Sequence, residues 1–425
     1  MTNIREEDIF DVAVIGGGPA GMIAAGRAAE LGARTILLEK NDTLGKKLLL
    51  TGKGRCNITN AEFNLKKLVK NYGQNGKFLF HAFSMFGPEQ VIDFFNQLGL
   101  EIKIERGQRV FPISDGSIDV LRSLVKYLDK SKANITYDAK VLKIKRQGSR
   151  IEKLILKKKE IIAKNYIFCT GGKSYATTGS TGDGFEWAKK LGHKIKELDP
   201  ALVPIALKES WIKELQGLSL KNVEISVIQK NKKEYSKFGE CLFAHFGITG
   251  PIILDISKVV GKLLKKGGVD LFLDLKPALN FAKLDQRLQR DFIKYQRKLF
   301  KNSLNDLLPQ KLIPVIIDLS QIDPEKKTNS ITKKERQDLA KLLKGLKMTV
   351  KELLGFGIAI VTSGGISLEE IDHKTMKSKL INNLYFAGEI IDIDGPTGGF
   401  NLQNCWSTGY LAGESAAKNV LFRRI

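Results

Sequence analysis

The stretch Asp11–Lys40, DVAVIGGGPAGMIAAGRAAELGARTILLEK, decides the fold. Val12–Ile15 is a short β-branched apolar run of the kind buried in a parallel sheet, and it stops at three consecutive glycines. Gly16, Gly18 and Gly21 fill the places of G-x-G-x-x-G. The first turns the chain, the second lets backbone approach a pyrophosphate, and the third lets helix pack on strand. The helix that follows, with Pro19 and Ala20 at its start and Leu31 at its end, points its N-terminal N–H groups and dipole at that phosphate pair. Gly32 closes it. A second apolar run, Thr35–Leu38, ends at Glu39, roughly 20 residues past the glycines, where a carboxylate meets the ribose hydroxyls of an adenosine. A carboxylate there repels a 2′-phosphate, which leaves FAD or NAD as the ligand rather than NADP.

The opposite end of the chain separates these two. Leu384–Ala387 reads as a strand ending in Gly388-Glu389, and the glycines Gly395, Gly398 and Gly399 precede a helix from about Leu402 to Ala417. A second helix N-terminus is thus offered to a second part of one ligand. Glu389 suits ribityl hydroxyls, and the N–H groups of Phe400, Asn401 and Leu402 suit a flavin pyrimidine edge. NAD has no such half, so the pattern selects FAD. Gly399 is expected to deliver the helix end to the flavin, so that Gly399→Val lowers the flavin reduction potential or loses FAD, while Gly413→Ala, farther along the helix, does neither.

Between these ends, Leu44–Asn60, LGKKLLLTGKGRCNITN, is a Gly- and Lys-dense loop able to surround phosphates or a flavin edge, or else a solvated basic loop. Helical patterns follow at Leu65–Tyr72, Pro88–Leu98 and Ser117–Ser131, and strand patterns at Ile135–Ile144 and Ile151–Leu156. Tyr166–Cys169 is a strand running into the turn Thr170-Gly171-Gly172, with a helix at Phe185–Leu191. No second complete nucleotide-binding unit is visible. From Pro200 short strands predominate, including Cys241–Phe246, and Pro277–Leu346 is lysine-rich and mostly helical. The expected division is 1–199 and 363–425 for the cofactor domain, 200–276 for a β-rich insert, 277–346 for a helical subdomain and 347–362 for its return.

A chain of 425 residues with 43% hydrophobic content supports two or three domains. The start, MTNIREEDIF, lacks the basic and apolar regions of a leader, and no apolar run reaches membrane-spanning length, so a soluble cytoplasmic protein is expected. The four cysteines are scattered without a CxxC pair, which points away from a redox dithiol, a zinc site and a disulfide framework. A formal charge of +23 admits an acidic partner such as RNA, but the lysine runs read as solvated faces, and nucleic acid is not the expected partner.

The segments GGGPAG, GKKLLLTGKGRCNITN, TGGKSYATTGSTGDG, FAHFGITGP, TSGG and GEIIDIDGPTGGFNLQNCWSTG together resemble the YhiN/BaiN-type bacterial NAD(P)/FAD-dependent oxidoreductases, which include aminoacetone oxidase-like flavoproteins. The resemblance spans nearly the whole chain. It implies an α/β fold with a Rossmann-like, glutathione-reductase-like FAD domain interrupted by a β-rich, barrel-like insert that carries a small helical subdomain. It also implies FAD contacts at Glu39, Lys40, Gly45, Lys46, Gly52, Asn57, Val141, Thr170, Gly388, Glu389, Asn401 and Leu402. Gly171 and Asp392 are added from the turns they occupy. Because flavin supplies the hydride chemistry, the protein need only position a small substrate and handle protons. Candidates for that are Arg55, Cys56, Tyr175, His245 and Asp392, with Arg55 also a candidate FAD contact from its basic loop; Arg55, Cys56, Tyr175 and His245 also have purely structural readings. NAD(P)H is the candidate transient reductant. The alternative class is a flavoprotein acting on RNA.

Overall fold

The computed structural model describes residues 9–422; Met1–Asp8, most of the acidic start on which the expectation of no leader rests, lie outside the described residues. The chain divides into one unit of Met1–Asp199 with Ile360–Ile425 and another of Pro200–Ala359, so the return to the first unit falls at Ile360.

The first unit is built on a seven-stranded sheet. β1 (Ile9–Ile15) lies between β2 (Thr35–Leu38) and the strand Glu160–Phe168, parallel to both, and Leu384–Phe386 pairs in parallel with the far half of Glu160–Phe168. Ile15 stands opposite Leu38 and Phe168, and Phe168 opposite Phe386. This register brings Gly16, Glu39, Cys169 and Ala387 out at one carboxyl edge, the place where open α/β sheets bind ligands. Val12, Ala13 and Val14 are fully buried, as a strand covered on both faces requires. The near half of Glu160–Phe168 continues into an antiparallel meander with Arg150–Leu156 and Val141–Gln147. The expected strand Ile135–Ile144 is therefore two: Asn134–Thr136 pairs with β2, and a turn with Asp138 at φ 50° breaks the run before Val141.

α1 (Pro19–Glu30) packs against the C-terminal helix Phe400–Leu421, which is longer at both ends than its sequence pattern indicates. Small residues let the two helices meet. A β-carbon on Gly413 stands 2.3 Å from the carbonyl oxygen of Ala24, and one on Gly409 stands 2.4 Å from that of Ala20. Gly413 therefore has a packing role, with its hydrogen as the contact surface.

In the second unit six strands close an antiparallel barrel: Ile205–Leu207, Gly247–Thr249, Lys232–Ala244, Ser219–Gln229, Asp270–Asp274 and Leu346–Leu353. Alternate residues such as Ile225, Val227, Leu271 and Leu273 are fully buried inside it. The helices Phe281–Lys294, Ile313–Ser320 and Lys333–Lys344 form a cluster between its last two strands. Asn280 caps the first, and Thr332 with Glu335 forms a capping box on the third. Cys241–Phe246 is a strand only to Ala244, and His245 and Phe246 form the turn to Gly247.

Among the described residues no helix is long and apolar enough to cross a membrane.

Candidate cofactor site

A cavity of about 1300 Å³, counting the part open to solvent, lies at the carboxyl edge of the first unit's sheet. Gly16, Gly18, Pro19 and Ala20 line it, as do Glu39, Lys40, Gly45, Lys46, Val141, Thr170 and Gly171. Glu389, Asn401 and Leu402 complete its wall from the C-terminal segment. Gly21 is not part of the lining. A β-carbon there stands 1.8 Å from the Gly16 carbonyl oxygen, so its role is to seat α1 on the turn, while the β-carbon position of Gly18 has no atom within 4 Å.

Glu39 is buried at one end of this cavity. Its Oε2 accepts from the N–H of Gly17 at 2.7 Å, and its Oε1 from both the N–H and Nδ2 of Asn41 at 2.8 and 2.7 Å. The carboxylate is thereby fixed before any ligand arrives. Lys40 Nζ reaches Asp183 at 2.9 Å and also donates to Thr181 Oγ1, tying the end of β2 to the glycine-rich turn and the helix Asp183–Lys190. Burial works to raise the Asp183 carboxyl, but the hydrogen bond and charge of Lys40 outweigh it, and its pKa lies below the ordinary aspartate value.

α2 (Lys46–Leu50) presents its two lysines differently. Lys46 pairs with the exposed Asp42 at 2.8 Å and is itself about one third exposed. Lys47 turns inward, donating to Glu389 Oε2 and to Ser174 Oγ, each at 2.8 Å. Glu389 Oε1 also accepts from Ser174 Oγ at 3.1 Å and from the N–H of Thr362 at 2.8 Å. Both lysines line the cavity, and Lys47, which the sequence reading did not select, is the one held by largely buried partners. Asn404 and Cys405, likewise missed, line the cavity from the first turns of the C-terminal helix. The signal was present, since positions three and four beyond Asn401 share its helical face. Burial pushes the Cys405 thiol up to about 12, with the Glu389 charge adding to it.

Two buried atoms test whether these residues fit a dinucleotide. Thr170 Oγ1 and Asn404 Oδ1 belong to cavity-lining residues and have no hydrogen-bond partner among the described residues. An unpaired buried polar atom costs about 1–3 kcal/mol, and two in one wall mark a ligand rich in hydroxyl, phosphate or amide groups. With the glycine turn at the N-terminus of α1 and the fixed carboxylate of Glu39, the residues fit FAD.

Other sequence candidates stand elsewhere. Arg55 does not line the cavity: it pairs with Glu105 and Asp115 and lies over the Phe111 ring at 4.1 Å. Those hydrogen bonds raise its pKa further above the ordinary arginine value. Cys56 is fully buried and pushed up to about 12 by burial, an inert thiol. Tyr175 occupies a left-handed position, φ 53°, in the turn before Ala176–Thr178, outside the cavity lining. His245 is exposed in its turn in the other unit, its ring against Phe246. Asn57 Oδ1 accepts from the N–H of Val110, Gly52 sits in a left-handed turn beside the lining residue Thr51, and the N–H of Gly388 donates to Thr408 Oγ1. The Asp392 carbonyl accepts from Asn75 Nδ2. Gly399 packs on the backbone of Thr59, and the Phe400 carbonyl accepts from Tyr72 Oη, so the turn serves packing and Asn401 and Leu402 reach the cavity.

A glycine turn feeding α1, a strand-end carboxylate at the ribose position and a second strand–turn–helix from the C-terminus converge on one cavity; fold and site together define an FAD-dependent oxidoreductase. The chain belongs to the HI0933-like family, matching the HI0933-like protein Rossmann domain over residues 10–415. It is 30% identical to the 3-dehydro-bile acid delta(4,6)-reductase of Clostridium scindens, an alignment that covers 96% of this chain and 99% of that one. It is 27% identical to the ribosomal RNA dihydrouridine synthase of Escherichia coli, with 96% and 99% covered. Among solved structures, the 3-ketosteroid-delta4-(5alpha)-dehydrogenase of Rhodococcus jostii has the same fold, with a TM-score of 0.56 at 16% identity over 98% of each chain.

Proposed function

We propose that the protein reduces a carbon–carbon double bond conjugated to a carbonyl in a small organic substrate, with NAD(P)H as the transient reductant. One observation carries this reading. Two full-length relatives with unrelated substrates bear names that describe the same bond change: loss of unsaturation next to a 3-oxo group in a bile acid, and saturation of the uracil ring in uridine. The relative named for the small molecule is the more similar of the two.

Bound FAD supplies the hydride chemistry. The chain's own part is to hold and orient it. The first turn of α1 meets the pyrophosphate, Glu39 meets the adenosine ribose, and the segment from Glu389 to Asn404 closes the other end. The test is anaerobic reduction with NADH and, separately, NADPH, followed by addition of a 3-oxo-Δ4,6 steroid. Recovery of oxidised flavin together with a product two hydrogens heavier supports the proposal. Reoxidation by oxygen alone, with every conjugated acceptor left unchanged, overturns it.

A second reading, uridine in RNA as substrate, is favoured by a feature of the helical cluster. On Phe281–Lys294 the cations Lys283, Arg287, Arg290 and Lys294 recur at helical spacing within an arc of about 60°. Arg297 and Lys298 extend the row, and both Lys294 and Lys298 lie over the ring of Tyr295. This row thus has an aromatic among its cations. Counterion release gives the test: binding to a ribosomal RNA fragment should weaken linearly in log salt, and Lys283→Glu with Arg290→Glu should reduce the slope by about 0.7 per lost phosphate contact on single strands. A slope equal to that of the unaltered protein dismisses this surface.

A further inference from the structure

We infer that Lys47 is the fixed cation of the flavin site and sets the balance between oxidised and reduced flavin, with Glu389 as its counterweight. The inference rests on the FAD reading above and adds a role to two residues of that cavity.

The argument starts from how the ammonium is held. Lys47 projects from α2, and its side chain keeps only 20% of its exposure. Ser174 Oγ and Glu389 Oε2 accept from its Nζ at 2.8 Å each and Glu389 Oε1 at 3.2 Å, so two largely buried partners hold the ammonium in place on a residue that lines the cavity. Three separate segments build the cradle. Ser174 comes from the glycine-rich turn and is fully buried, Glu389 follows the strand Leu384–Phe386, and Thr362 on the strand Val361–Ile366 donates its N–H to Glu389. A β-carbon on Gly172 stands 2.4 Å from Thr362 Oγ1 and 2.7 Å from Glu389 Oε1, so the turn admits only glycine where the cradle closes. A lysine that merely capped a surface carboxylate would not need such a frame. Two other cavity-lining lysines, Lys40 and Lys46, pair with Asp183 and Asp42. Lys47 instead lines the cavity close enough to Cys405 of the C-terminal helix for its charge to act on that thiol.

Adding two electrons and one proton to an oxidised flavin leaves one negative charge on its ring system. A cation at fixed distance in a partly buried wall stabilises that charge, and a neighbouring carboxylate opposes it. Lys47 and Glu389 therefore act with opposite sign. Removing the cation favours oxidised flavin; neutralising the carboxylate leaves the cation unbalanced and favours reduced flavin.

The experiment is an anaerobic redox titration of the FAD-loaded protein against a reference dye, with dithionite as the two-electron reductant. Lys47→Met is expected to shift the ratio of reduced to oxidised flavin about tenfold toward oxidised, which for a two-electron couple is about 30 mV. Lys47→Arg is expected to stay close to the unaltered protein, and Glu389→Gln to move the other way. Equal potentials in Lys47→Met and the unaltered protein at matched FAD occupancy overturn the inference, as does a shift of Lys47→Met and Glu389→Gln in the same direction, the pattern of a merely structural clamp. Should Lys47→Met fail to retain FAD, the direction of Glu389→Gln decides alone. Failure of the unaltered protein to bind FAD is a different result, and it refutes the cofactor reading itself.

Discussion

The backbone N–H of Gly17 donates to Glu39 Oε2 at 2.7 Å, so the turn that follows β1 and the carboxylate that ends β2 are one hydrogen-bonded unit. The parallel register of the two strands, Ile15 opposite Leu38, makes this contact unavoidable. Glu39→Ala is expected to weaken FAD by the value of a charge-assisted hydrogen bond, about 1.5–3 kcal/mol or roughly 10- to 150-fold in Kd. It also strips acceptors from Gly17 and Asn41. Fluorescence titration of FAD into the apoprotein, with circular dichroism to confirm folding, is the measurement. An unchanged Kd in a folded variant would show that the carboxylate serves only its own turn.

A buried histidine gives the chain a pH-dependent stability. His193 Nδ1 lies 3.1 Å from Glu370 Oε2, and its Nε2 lies 2.9 Å from Ser378 Oγ. Ser378 Oγ already accepts the N–H groups of Leu380 and Ile381, so its own proton points to a neutral Nε2. Burial lowers the pKa of His193, and Glu370 offsets this only in part. Between the depressed folded value and the unfolded value near 6.5, the unfolded chain binds more protons, so stability rises with pH. The contribution is complete above about pH 6.5 and is lost as pH falls toward the folded pKa. Thermal melting from pH 7.5 to 5.5 should show Tm falling at the acid end, and His193→Asn should remove part of that fall. Parallel Tm curves for the two proteins would rule the imidazole out as the source.

Gly413→Ala sets two effects of opposite sign against each other. Helix propensity favours alanine by about 1 kcal/mol, but the new methyl would stand 2.3 Å from the Ala24 carbonyl oxygen. Backbone cannot yield cheaply, and overpacking costs about 1–3 kcal/mol. A net loss of stability is expected, read as a lower urea midpoint with an unchanged slope. A gain would mean that α1 and the C-terminal helix can move apart without penalty.

What the sequence determined by itself is the cofactor half of the protein. The glycine turn, Glu39, the second strand–turn–helix beginning at Leu384 and the interruption at Pro200 are written in local pattern, because each depends on residue type at fixed short spacing. Lys40, Thr170 and Gly171 line the cavity because parallel strands leave the sheet at one edge, and Gly45, Lys46, Val141, Asn401 and Leu402 join them from loops and helices packed over that edge. What only the tertiary structure decided is which neighbour points where. Helix phase gave Lys47 the largely buried partners Glu389 and Ser174 and left Lys46 with the exposed Asp42, and a contact between helices far apart in the chain set Gly413 against the Ala24 carbonyl. Arg55 found carboxylates at Glu105 and Asp115, 50 and 60 residues away, the first ending the strand Ile102–Glu105 of a small sheet and the second lying just beyond its strand Arg109–Pro112. Such partners are set by the path of the whole chain, since a long cation takes whichever anion the fold brings within reach.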